Sequence, residues 1–255
     1  MEVIMENQKN KRVSMVGFAP SWEETPWREE GEIWCLNEGY KLMEQAARQG
    51  KNPRADRWFE IHNPDSPSKN TPEHRGWLQK THIPVYMRKI CEDIPSGRLF
   101  PFDAIMEWLK ERGHIGYRYF TNSISWMIAF ALYEGFEEIH VYGVDMAQDA
   151  AKNGTSEYAF QKPSCEYMLG VAEKYAKVYV PETSDLLKCH TLYGIESDNE
   201  SSIWVKKQMQ QLTGRYKQIE QAFLQSQQAV RQNEVMMAEI RGANGAYGAM
   251  LKRRV

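Results

Sequence analysis

The stretch 121-TNSISWMIAFALYEGFEEIHVYGVD-145 changes its period halfway along. Ile124, Met127, Ile128 and Ala131 recur at helical spacing, Gly135 ends that run, and Ile139, Val141 and Val144 then mark a buried strand. Upstream, four short apolar runs read as strands: Arg12–Phe18, Ile33–Leu36, Asp56–His62 and Ile83–Met87. Between them "YKLMEQAARQG" reads as a helix closed by Gly50. Strands that alternate with helices predict an α/β fold, a mainly parallel sheet with helices on both faces. In such sheets ligands bind outside the carboxyl ends of the strands, where the strand order reverses. Gly17 to Ser21, Asn37, His62 and Asp145 all fall at those ends.

Downstream of Asp145 the chain is polar through Ser156 and reads as an exposed loop. Pro163-Ser164 then suits a helix start, with Glu166 in the first turn and Met168, Leu169 and Ala172 on a buried face. "AKVYVPE" reads as the last strand. The first domain is therefore expected to span residues 1–190, and a helical extension residues 200–255.

That extension has its own pattern. From Val205 to Ile240, seam positions fall alternately four and three residues apart, the heptad spacing of a coiled coil, with Ser226 and Asn233 as polar interruptions. A homo-oligomer through this helix is expected; the alternative is one amphipathic helix packed on its own domain. Gly242, Gly245 and Gly248 are expected to break the helix near its end, and the basic "LKRR" beyond is too short to signal nucleic-acid binding.

Composition narrows the function classes. With 255 residues, 42% hydrophobic content and a net charge of −2, the chain can bury a core and carries no global basic field for nonspecific nucleic-acid binding. No apolar run approaches the ~20 residues a membrane span needs, and the N-terminal "MEVIMENQKNKRV" is too polar for a signal peptide. A cytoplasmic protein is expected. Cys35, Cys91, Cys165 and Cys189 are too scattered for a zinc site or a disulfide framework.

Several residues invite a chemical reading beside a plain one. Thr121, Asn122 and Ser123 sit where a helix begins, so they can cap it or help its N–H groups hold an anion. Glu166 is either a favourable first-turn acid or a general base, and His62 either a surface group or a base. Asp145, at a strand end, either holds a ribose or acceptor hydroxyl or partners a helix N-terminus. Trp58 and Phe59 either shape an acceptor pocket or fill the core. Asp56, Glu60 and Asp65 add carboxylates without forming a metal-binding motif, so no metal ligands are assigned.

Three segments in this order, "VSMVGFAPSW", "EIWCLNEGY" and "TNSISWMIAFALYEGFEEIHVYGVD", resemble the bacterial lipooligosaccharide sialyltransferases and the archaeal hydroxymethylpterin pyrophosphokinase-like proteins. Uncharacterised phage proteins are similar as well, including at "KPSCEYMLG". The resemblance implies a Rossmann-like sheet. It also implies nucleotide binding by Gly17, Pro20, Ser21, Asn37, Thr121, Asn122, Ser123 and Asp145. Tyr158, in "EYAF", matches a tyrosine that in the sialyltransferases hydrogen-bonds the departing phosphate. Their base is a histidine in a downstream segment with no clear counterpart here, and His190 lies in no matching motif. Glu166 or His62 is the candidate base instead.

The resulting expectation is a glycosyltransferase that uses a nucleotide sugar as donor and a hydroxyl as acceptor, with no further cofactor. If it is phage-encoded it would act in the host cytoplasm, with nucleic acid as a partner only in the role of acceptor. The alternatives are a Mg²⁺-dependent diphosphokinase acting on a hydroxymethyl group, and a non-catalytic oligomeric nucleotide-binding or structural protein.

Overall fold

A computed structural model of the chain describes residues 11–63, 71–146, 157–189, 192–194 and 198–252. The chain divides between Lys188 and Cys189 into two compact units.

The first unit is built on a seven-stranded, wholly parallel sheet. Its strands are β1 (Arg12–Val16), β2 (Glu32–Leu36), β3 (Arg57–Glu60), β4 (Val85–Met87), β5 (Gly97–Leu99), β6 (Glu138–Tyr142) and β7 (Lys177–Tyr179). They lie in the order β5-β4-β3-β2-β1-β6-β7. The chain winds outward from β1 to β5, crosses back to lay β6 against the free side of β1, and continues outward to β7. The order therefore reverses between β1 and β6.

Side-chain alternation supplies a core on each face. Trp34 and Leu36 of β2 join one cluster with Met15, Phe59 and Ile139, while Ile33 and Cys35 join the other with Val16 and Trp58. Helices α3 (Phe102–Glu111), α4 (Ser123–Tyr133) and α5 (Glu157–Ala172) contribute to the first cluster. Helices α1 (Tyr40–Arg48) and α2 (Pro72–Lys80) contribute to the second. Trp58 and Phe59 are both fully buried on opposite faces, so they fill the core. Burial also pushes the Cys35 and Cys165 thiols up to about 12, which keeps both protonated.

Helix ends follow local chemistry. Asn122 caps α4, its Oδ1 accepting from Ser125 N at 2.8 Å. At the other end Gly135 takes φ +75°, and Phe136 N donates to Ala131 O at 3.0 Å. Helix α5 departs from expectation: it starts at Glu157, and Pro163 lies inside it rather than at its first turn. A proline ring removes an N–H and crowds the preceding carbonyls. The carbonyl it deprives is that of Ala159, four residues back; in the same stretch Phe160 O accepts from Thr121 Oγ1 and Gln161 O from Asn122 Nδ2, both at 2.9 Å. Those bonds tie the turn before the proline to the start of α4.

The second unit contains α6 (Asp198–Lys252), 55 residues long. Gly242, Gly245 and Gly248 do not break it, contrary to expectation. Each glycine costs about 1 kcal/mol of helix propensity without blocking a backbone hydrogen bond, and Ala243, Ala246 and Ala249 alternate with them. Among the described residues, no helix is long and apolar enough to cross a membrane.

Candidate functional site

A cleft of about 620 Å³ opens at the carboxyl ends of β1, β2, β3 and β6. Gly17, Asn37, His62, Thr121, Asn122, Ser123, Asp145 and Tyr158 all line it. Residues separated by more than 100 positions are brought together because β1 and β6 are neighbours.

The floor is a close approach of two backbones. Gly17 N donates to Tyr142 O and Ala19 N to Gly143 O, each at 2.8 Å. A Cβ on Gly17 would lie 2.4 Å from Gly143 O, and one on Gly143 equally close to Gly17 O. Gly143 lines the cleft with φ +67°, a position for which the sequence offers only the Gly-x-Asp that follows β6.

Ser21 and Pro20 stand behind this floor and are not among the lining residues. Pro20 opens a short 3₁₀ turn, Pro20–Glu24, that buries Ser21. Ser21 Oγ accepts from Gly143 N at 2.9 Å and donates to Asp145 Oδ1 at 2.5 Å, so it fixes the cleft's carboxylate. Burial pushes the Asp145 carboxyl above its ordinary range, and the Ser21 hydrogen bond opposes that shift only in part.

Asn37 ends β2 in the left-handed region, at φ +49°. Its N donates to Phe59 O at 3.1 Å and its O accepts from Trp58 Nε1 at 3.0 Å, so the backbone is held on both sides. The side-chain Oδ1 is buried and has no partner among the described residues. A buried acceptor left unpaired is costly.

Across the cleft lies the start of α4. Thr121 and Asn122 are committed to structure: Thr121 N donates to Ser164 Oγ at 3.1 Å, and both side chains bind carbonyls of α5. The Ser164 hydroxyl is itself buried and bonded to Tyr119 O and Ser125 Oγ. Ser123 and Ile124, by contrast, line the cleft at the first two positions of α4, where backbone N–H groups lack intrahelical partners. Tyr158, in the first turn of α5, is 40% exposed and lines the same wall.

Glu166 lies elsewhere. Its Oε1 accepts from Leu187 N at 2.8 Å and stands 3.6 Å from Lys162 Nζ, and it is not among the lining residues. Glu60 is likewise engaged, buried at 2.8 Å from His74 Nε2. Asp56 accepts from Ile33 N at 2.7 Å and pairs with Arg54. Asp65, His190 and the polar segment from 147 to 156 lie outside the described residues. Among the described lining residues there is one carboxylate, Asp145, and no Lys or Arg.

No protein-family model matches the chain, and no curated protein matches it. Among solved structures, a monofunctional alpha-2,3-sialyltransferase from Campylobacter jejuni is 14% identical at a TM-score of 0.34, covering 84% of this chain and 98% of that one. A second C. jejuni sialyltransferase, in complex with a substrate analogue, CMP-3FNeuAc, is 14% identical at a TM-score of 0.33, covering 67% and 81%. The same enzyme with cytidine-5'-monophosphate is 15% identical at 0.34, covering 67% and 79%.

Proposed function

We propose that the chain is a glycosyltransferase with a Rossmann-like first unit that binds a nucleotide sugar in the β1/β6 cleft. The carrying observation is the lining itself: the first positions of α4, Tyr158, Asn37 and Asp145 converge on one space. Its volume lies within the usual range for small-molecule sites. A lining with one acid and no lysine or arginine among its described residues suits a phosphodiester of low charge, held by neutral donors.

In this reading the bond between the anomeric carbon and the donor's phosphate oxygen breaks, and the electron pair stays on the phosphate. The Tyr158 hydroxyl and the first N–H groups of α4 stabilise that charge as it develops. The acceptor hydroxyl attacks the same carbon and loses its proton to His62, which lines the cleft as Glu166 does not. Asp145, fixed by Ser21, accepts a hydrogen bond from a ribose or acceptor hydroxyl.

Thermal unfolding with nucleoside monophosphates and sugar nucleotides of all common bases is the direct test. A ligand at 100 times its Kd stabilises the folded state by about 2.7 kcal/mol, so at least one compound should raise Tm by several degrees. With the responding donor, Tyr158→Phe should lower kcat about a hundredfold. No response to any nucleotide would overturn the reading.

A further inference from the structure

Helix α6 leaves a mostly apolar seam in the open. Met209, Leu212, Tyr216, Ile219 and Phe223 are each 60–65% exposed. At ~1.5 Å per residue the helix is about 80 Å long, and a helix of this length draws most of its stability in water from covering its apolar face. The seam has heptad spacing, with Met209, Tyr216, Phe223, Val230 and Met237 at a and Leu212, Ile219, Ser226, Asn233 and Ile240 at d. Leu224 and Val235 fall off it.

We propose that the seam is covered by further copies of this chain, in a parallel, in-register bundle of three or more helices.

Orientation follows from the polar positions. In a parallel, in-register bundle every residue faces its own copies, so Ser226 meets Ser226 and Asn233 meets Asn233, and each polar group finds a hydrogen-bonding partner. Antiparallel packing sets a against d, which places Asn233 opposite Tyr216, Phe223 or Val230 and leaves its amide unpaired in an apolar layer. A parallel stagger of one heptad sets Asn233 of one copy against Ile240 of another.

Charge agrees with this. The parallel pairing of g with the following e brings Arg215 beside Glu220 of a neighbouring copy, an attractive contact. The antiparallel alignment with the fullest overlap instead brings Glu220 opposite Glu234.

Strand number follows from the width of the seam. Ile219 and Ile240 at d disfavour two strands, which prefer Leu there. Ala222, Ala229 and Met236 at g widen the apolar face beyond a two-helix contact. Tyr216 and Phe223 each bring ~150–250 Å² to be covered, more readily inside a larger bundle.

Light scattering on the full chain should give a mass at least three times 29.7 kDa, and a monomer or dimer overturns the proposal. With Cys91→Ser and Cys189→Ser as background, a dye on Ala249→Cys reports orientation by energy transfer between mixed donor- and acceptor-labelled chains. Parallel helices hold the dyes together and transfer is strong, whereas weak transfer from an assembled protein overturns the proposal. Leu212→Asp with Ile219→Asp should give monomers whose α/β unit melts as before; persistence of the oligomer overturns it. Asn233→Leu should assemble more tightly but lose its single register, giving a lower and broader transfer signal. An undiminished signal means that Asn233 does not set the register, and removes the basis for the parallel arrangement.

Discussion

Asp145 combines two demands in one side chain. It lines the cleft, yet its burial disfavours the ionised form and raises its pKa. A carboxyl whose folded-state pKa is raised makes the folded state bind its proton more tightly than the unfolded chain does. Stability is therefore lost as pH rises from the unfolded value of about 3.9 through the folded one. Asp145→Asn keeps an acceptor for Ser21 and removes the charge. The variant should melt higher than the parent at neutral pH, with the difference closing as pH falls toward 4, as calorimetry across that range would reveal. A parent that is the more stable at pH 7 would mean that ionised Asp145 stabilises the fold. Gly17 makes the complementary case, because here backbone approach sets the residue type. With Gly143 O 2.4 Å from where a Cβ would stand, Gly17→Ala must part the ends of β1 and β6. It should cost about 1–3 kcal/mol in urea denaturation and abolish nucleotide binding. The turn "GFAPS" was legible in the sequence as the end of a strand, but its steric partner was not. Gly143 follows a strand, β6, whose position beside β1 no local pattern reveals.

At the scale of elements, the junction of α4 and α5 shows how one amide can serve two helices. Asn122 Oδ1 caps α4 and its Nδ2 satisfies a carbonyl beside Pro163. Asn122→Ala should cost about 1 kcal/mol for the lost cap and more for the abandoned Gln161 carbonyl. Asn122→Asp retains the cap acceptor but sets a carboxylate oxygen against that carbonyl, so it should restore only part of the stability. Chemical denaturation of both variants ranks them, and a fully stable Asn122→Ala would refute this account. The start and end of α4 were readable because cap residues and a stopping glycine act within a few positions. The start of α5 was not, since a proline normally marks a first turn. The turn before it is instead held by Thr121 and Asn122, some 40 residues away. Strand β5 escaped notice for a related reason: "GRL" has no apolar alternation, and it is held at the sheet edge by pairing with β4. The three glycines of α6 misled in the opposite sense, since a propensity cost spread over a long helix is smaller than a break requires.

For the whole molecule, the strand and helix types were legible but the strand order was not. Periodicity reports which face of an element is apolar, whereas the return of the chain to place β6 beside β1 is settled by packing across the entire sheet. That return creates the cleft, and the cleft's lining runs from Gly17 to Gln161, wholly inside the first unit. Assembly through α6 and ligand binding in the cleft are therefore expected to be separable. Two versions of the full chain test this, the parent and Leu212→Asp with Ile219→Asp, each titrated with the nucleotide that gives the largest thermal shift. Kd per chain should agree within about twofold, equivalent to 0.4 kcal/mol, while the mass in solution falls to that of one chain. A loss of affinity beyond tenfold in a variant whose α/β unit still melts normally would mean that the assembled helix contributes to the site. The two proposals would then have to be treated as one.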